Sequence, residues 1–107
     1  MISTQDFKKE VSYWAEEIAV KPKEIHIRQM NTKWASCSNK GRLTFTDSLL
    51  TEPSDLRAKV IVHELLHMKY PTHGKMFKTL FVAYLRKHGI ESSLKDFNLK
   101  LRQEKID

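Results

Sequence analysis

The sequence predicts one α+β domain in which a small antiparallel sheet of about three strands packs with an N-terminal helix, a central helix and C-terminal helices. A length of 107 residues suits one domain, so we expect residues 1–107 to form a single minimal domain. Apolar residues repeat with helical spacing at both ends of the chain and with a two-residue period between them. Proline, glycine and short polar segments separate these stretches, which gives the order α-β-β-β-α-α-α.

The first half of the chain should hold one helix and the whole sheet. An apolar helical face behind a Ser3/Thr4 cap predicts a helix over residues 4–19, and Lys21-Pro22 ends it. The members of that face are Phe7, Val11, Trp14, Ala15 and Ile18. Strands are predicted over residues 24–30, 34–37 and 42–46, with a hairpin through Ser38-Asn39-Lys40-Gly41 between the last two.

The second half should be helical. Pro53-Ser54-Asp55 opens a strong helix over about residues 54–69, and Pro71 follows its end. A second apolar helical pattern, closed by Gly89, consists of Phe77, Leu80, Phe81, Tyr84 and Leu85. A last helix is suggested by Ile90, Leu94, Phe97 and Leu101.

Composition narrows the class of protein. The lone Cys37 has no internal disulfide partner, and neither an export signal nor a membrane-spanning run is visible, so we expect a cytoplasmic protein. We also expect it to be a monomer. The net charge is +6, and residues 75–107 carry 8 basic against 4 acidic side chains. This basic C-terminal third favours a solvated surface, while nucleic-acid association stays an alternative.

The chemistry is concentrated in His63-Glu64-Leu65-Leu66-His67. Two histidines four residues apart lie on one face of a helix, from which both rings reach one metal ion at about 2.0–2.1 Å. Glu64 borders this face without pointing at the metal, which suits a general base acting on a water molecule. Apolar residues on the opposite arc should anchor the helix while the histidine face looks into a cleft.

A catalytic zinc site needs a third protein ligand and one open position. His73 is the best candidate, because Pro71 turns the chain after the helix and Gly74 eases entry to the next one. Glu91 is the runner-up, and Cys37 is a further alternative. His26 and His88 fit structural or surface positions better.

Three segments together resemble a known family. Trp34-Ala35-Ser36-Cys37-Ser38, then the His63–His67 motif, then His73-Gly74-Lys75-Met76-Phe77 are similar to the YgjP-like and WLM group of zincin metallopeptidases, which are related to SprT-type proteases. The resemblance implies a zincin-like fold with His63, His67 and His73 as ligands and Glu64 as the catalytic residue.

We therefore expect a zinc metallopeptidase that binds one Zn²⁺, most simply an endopeptidase acting on peptide or protein substrates. The edge strand that contains Trp34 and Ser36 is the predicted substrate-binding segment. A non-catalytic zinc module recruiting nucleic acid or protein, and a zinc amidase acting on a non-protein amide, are the rival interpretations. Manganese, cobalt or nickel would also suit three histidines.

Overall fold

A computed structural model describes residues 1–91 of the chain. In order, these residues form α1 (Thr4–Ile18), β1 (Glu24–Arg28), β2 (Ala35–Cys37), β3 (Arg42–Thr46), a 3₁₀ helix (Asp47–Thr51), α2 (Ser54–His67) and α3 (Lys75–Lys87). The predicted element order is confirmed up to α3. The predicted last helix lies outside the described residues.

Helix α1 begins and packs as its sequence predicts. The Ser3 hydroxyl accepts a hydrogen bond of 3.0 Å from the Asp6 amide, which caps the first turn. All five predicted face residues are buried, and the Phe7 ring meets the Phe45 ring of β3 edge-to-face at 5.1 Å. Burial of this apolar face holds α1 against the sheet.

The sheet is mixed, so the prediction of a wholly antiparallel sheet is wrong. Its strand order is β1-β3-β2, with β2 antiparallel and β1 parallel to β3. Residues 29–34 connect β1 to β2, and Thr46 at the end of β3 forms two hydrogen bonds with this connection. The Thr46 amide donates to the Trp34 carbonyl at 2.9 Å, and the Thr46 hydroxyl donates to the Met30 carbonyl at 3.5 Å. The connection therefore passes the end of β3.

Burial explains why β3 rather than β2 is central. Leu43 and Phe45 of β3 are fully buried, and Thr46 is nearly so. In contrast, β1 exposes Glu24, His26 and Arg28. Charged side chains suit a sheet edge, whereas the most apolar strand gains most from neighbours on both sides.

Helix α2 occupies the middle of the domain. It packs against α1, α3 and β2, and every residue from Leu56 to Leu66 is buried. The predicted division into an apolar arc and an open histidine face is therefore too simple, because polar residues of this helix are enclosed as well. Such a position fixes the helix rigidly.

Candidate metal centre

Helix α2 supplies two imidazoles one turn apart. His63 is 1% exposed and His67 is half-buried, and their Nε2 atoms lie 3.3 Å from each other. Their ring planes are 74° apart with centroids separated by 4.9 Å, so the two nitrogens approach one point from different directions.

The turn after α2 brings His73 to the same point. The Tyr70 amide donates to the Leu66 carbonyl at 2.8 Å, and the chain then reverses through Pro71 and Thr72. As a result, His73 Nε2 lies 2.9 Å from His67 Nε2. The ligand atoms of His63, His67 and His73 all fall within 4.8 Å of one another, and they are the group among residues 1–91 that could hold a metal ion.

This donor set fits zinc. Two nitrogens bound at about 2.05 Å in a tetrahedron lie about 3.3 Å apart. The observed Nε2 separation of 3.3 Å between His63 and His67 equals that distance, and the 2.9 Å between His67 and His73 is slightly shorter. The other nitrogen of His67, Nδ1, donates to the Tyr70 carbonyl at 3.3 Å. A proton on Nδ1 leaves the Nε2 lone pair of the neutral ring directed at the metal position.

Phe77 of α3 forms the apolar support of the three rings. It is fully buried, and its ring centroid lies 5.2 Å from that of His63 and 4.9 Å from those of His67 and His73. The helical period of α3 predicts Phe77 as a core residue, which it is, but the period gives no sign of this contact with every proposed ligand.

Glu64 lies beside the imidazoles and faces the adjoining cleft. Its side chain is fully buried, and its Oε2 atom is 4.0 Å from His63 Nε2. That distance exceeds a bond but permits both groups to contact one small molecule between them. A carboxylate at this distance can exchange a proton with such a molecule.

The cleft next to Glu64 has a volume of about 790 Å³. One wall is the segment just before β1 together with the β2–β3 turn, and the other is the end of α2 together with the α2–α3 connection. Its lining residues are Lys21, Lys23, Cys37, Ser38, Asn39, Lys40, Gly41, Glu64, His67, Met68, Pro71, Thr72 and His73. Ligand sites in proteins span roughly 300–1,000 Å³, so the volume suits part of a peptide.

The other predicted site residues lie outside the histidine group. Trp34 packs partly buried against the core and Ser36 lies half-buried within β2, while the cleft is lined by the next residues, Cys37 and Ser38. Glu91 and Cys37 do not join the histidine group.

The remaining two histidines have other partners. His88 donates from Nε2 to the Glu17 carboxylate at 2.8 Å, and its Nδ1 atom forms a hydrogen bond of 3.0 Å with the Tyr13 hydroxyl. His26 lies 3.3 Å from the Glu24 carboxylate on the exposed face of β1.

Sequence comparison identifies the family of this arrangement. A model of the YgjP-like metallopeptidase domain matches residues 3–93, which is most of the chain. The chain belongs to the YgjP-like metallopeptidase family. The predicted family is thereby confirmed, and with it a metal-dependent hydrolase of peptides. No curated protein matches the chain.

Solved structures extend the likeness of this YgjP-like domain to the fold. The metallopeptidase zymogen abylysin of Pyrococcus abyssi superimposes with a TM-score of 0.69 at 18% identity, over 94% of this chain and 99% of abylysin. The zymogen jannalysin of Methanocaldococcus jannaschii gives 0.69 at 24% identity, over 91% and 94%. The predicted zincin-like α+β fold class is confirmed by these neighbours.

Within residues 1–91, no helix of the YgjP-like domain has the length and apolar character needed to cross a bilayer.

Proposed function

We propose that this chain is a zinc-dependent endopeptidase in which His63, His67 and His73 hold one zinc ion and Glu64 is the general base. The convergence of three imidazole Nε2 atoms beside a buried carboxylate carries the proposal. Three histidines leave a fourth tetrahedral position for water or substrate, as catalytic zinc sites do. A purely structural zinc site would not need Glu64.

A zinc ion held by these histidines would supply Lewis acidity, which would lower the pKa of a water molecule to about 7 and polarise the scissile carbonyl. Glu64 takes a proton from the attacking water on a carboxylate oxygen and passes it to the nitrogen of the leaving amine. Because Glu64 is fully buried in the central helix, its carboxylate keeps one position through both transfers.

Two neighbouring groups keep the ligands in place. The Tyr70 carbonyl orients the His67 ring by accepting from Nδ1, and Phe77 limits tilting of all three rings. An extended substrate would run along β2, which is an edge strand of the described sheet, and we assign Trp34 and Ser36 to contacts with that substrate.

Two variants and one matched control test the chemistry. Glu64→Gln should retain zinc and lose about 10²–10⁴-fold in cleavage rate, which is the usual worth of a general base. His67→Ala should lose the zinc itself. His26→Ala removes an exposed histidine from β1 and should change neither property.

The assay measures zinc content by mass spectrometry and cleavage of acetylated, amidated, internally quenched peptides with and without a chelator. Full zinc-dependent activity of Glu64→Gln would contradict the role of Glu64. Zinc-independent cleavage by the wild type would contradict the proposal as a whole. Removal of only terminal residues from unblocked peptides would exclude endopeptidase action.

We also propose that residues 1–107 act as one domain and as a cytoplasmic monomer. The single cysteine, Cys37, is suited to a reducing compartment. Size-exclusion chromatography with light scattering should give the mass of one chain, 12.6 kDa. A mass of two chains would refute the monomer.

A further inference from the structure

One wall of the cleft beside Glu64 is lined by lysines. Lys21, Lys23 and Lys40 all border it, and Glu64 is the sole acidic side chain among the described residues that do so. All three lysines are exposed, so their ammonium groups reach into water while their stems lie along the wall. A metal ion at the histidines would add to the positive potential of this cleft.

Backbone contacts hold Lys23 and Lys40 next to one another. The Lys23 amide donates to the Gly41 carbonyl at 2.8 Å, and a Cβ at Gly41 would lie 3.4 Å from Lys23 Cγ. The Ser38 hydroxyl accepts from the amides of Lys40 at 3.3 Å and Arg42 at 3.1 Å, which fixes the turn. Lys23 and Lys40 therefore belong to one rigid wall rather than to two independent loops.

The nearest carboxylate along the chain is occupied elsewhere. Glu24 accepts from Arg42 Nε at 3.0 Å and lies 3.3 Å from His26 Nε2, and the hydrogen bond from Arg42 holds the pKa of Glu24 below its ordinary range. Among residues 1–91, the ion pairs of the structure leave out Lys23 and Lys40. Their charges are thus available to a molecule in the cleft.

We propose that Lys23 and Lys40 select peptide substrates that place a carboxylate on this wall, with Lys21 as a weaker contributor. Lys21 also lines a second groove, of which Glu16 is another lining residue. The carboxylate comes either from an Asp or Glu side chain or from the C-terminus of the substrate. The proposal rests on the proposed peptidase function for cleavage, but binding tests it separately.

The test uses Glu64→Gln protein and fluorescein-labelled peptides that differ at one central position, Glu or Gln, with blocked ends. The Glu peptide should bind about three- to tenfold more tightly at low salt, the effect expected from two exposed ion pairs. The preference should shrink as salt is added. A further pair of peptides without Glu, with a free or an amidated C-terminus, distinguishes the two sources of carboxylate.

Variants locate the effect. In the Glu64→Gln background, the added pair Lys23→Gln and Lys40→Gln should remove most of the preference, since only Lys21 remains on the wall. The added pair Lys8→Gln and Lys9→Gln removes the same charge from the exposed side of α1 and should preserve it. In otherwise wild-type protein, Lys23→Gln with Lys40→Gln should lower kcat/KM for Glu peptides relative to Gln peptides. Lys8→Gln with Lys9→Gln should leave that ratio unchanged.

Each outcome of these experiments supports or contradicts the proposed role of the lysine wall. Equal binding of all peptides, or an equal loss of preference in both variant pairs, would overturn the proposal. Tighter binding of a single-stranded oligonucleotide that depends on Lys23 and Lys40 would overturn it in favour of a nucleic-acid partner. A Glu preference in binding without cleavage by the wild type would support the lysine wall while refuting the peptidase.

Discussion

Removal of the Glu10 carboxylate should loosen the attachment of α2 to α1. Arg57 of α2 is 8% exposed, and it donates to Glu10 from Nε at 3.0 Å and from Nη2 at 2.9 Å. Its Nη1 atom donates to the Glu52 carbonyl at 2.7 Å. In Glu10→Gln, one side-chain oxygen becomes an amide group that faces a guanidinium donor, so the buried charge loses its counterion and one acceptor.

The size of the effect follows from burial. Breaking a fully buried ion pair costs about 3–5 kcal/mol. The Glu10 side chain is 33% exposed, so water replaces part of the lost contact and about 2 kcal/mol remains. For a domain of this size, each kcal/mol lowers Tm by about 4–8 °C, which predicts a decrease of about 8–16 °C.

Thermal unfolding followed by circular dichroism measures this decrease, with chelator present so that metal binding does not contribute. Glu16→Gln removes the same charge from an exposed position on the same helix and should change stability by less than about 0.5 kcal/mol. In an Arg57→Met background, Glu10→Gln should have almost no effect. Equal Tm values for Glu10→Gln and Glu16→Gln would refute the reasoning.

Three further predictions concern the metal centre and the α1–α3 contact. Zinc at 100 times its Kd should raise the free energy of unfolding of the wild type by about 2.7 kcal/mol. His73→Ala should lose most of this rise in a thermal-shift assay, and an undiminished rise would show that another residue is the third ligand. Phe77→Leu should weaken zinc binding about tenfold in competition with a chromophoric chelator, because the three histidine rings lose a common support. If the variant protein is less stable but binds zinc with unchanged affinity, Phe77 is only a core residue. Hydrogen bonding to His88 lowers the pKa of Glu17 below its ordinary 4.5, so this contact stabilises the fold above about pH 4.5 and is lost as the pH falls through the lowered pKa. The Tm difference between the wild type and Glu17→Gln should therefore shrink between pH 5 and pH 3, and a difference that grows over this range would contradict the assignment.

Local sequence patterns were sufficient to predict α1, the β2–β3 hairpin and α3. Each of these depends on residues close in sequence, such as the Ser3 cap, the polar turn before Gly41 and the left-handed Gly89 with φ of 77° after α3. Gly89 ends the helix because this backbone conformation is accessible to glycine with little strain. Caps, turns and apolar periods of this kind are visible in the sequence itself.

Predicting the strand pairing of the sheet and the burial of α2 would have required information that local sequence patterns lack. Three short strands in succession suggest a meander, and the pairing of β1 with β3 depends on how much apolar surface β3 buries on both sides. Likewise, the period of α2 indicates one apolar face, whereas the helix is buried on all sides from Leu56 to Leu66, where it packs against α1, α3 and β2. Both features arise from packing between distant segments.

The same distinction separates the chemistry of this site from its specificity. His63, Glu64, His67 and His73 span eleven residues, and one helix with its following turn is enough to bring them together. The lysine wall instead joins the segment just before β1 to the β2–β3 turn, two parts of the chain that the pairing of β1 with β3 brings together. A sequence motif therefore predicts what reaction the site supports, whereas the lysines that we propose to select the substrate come together through long-range pairing that the motif does not encode.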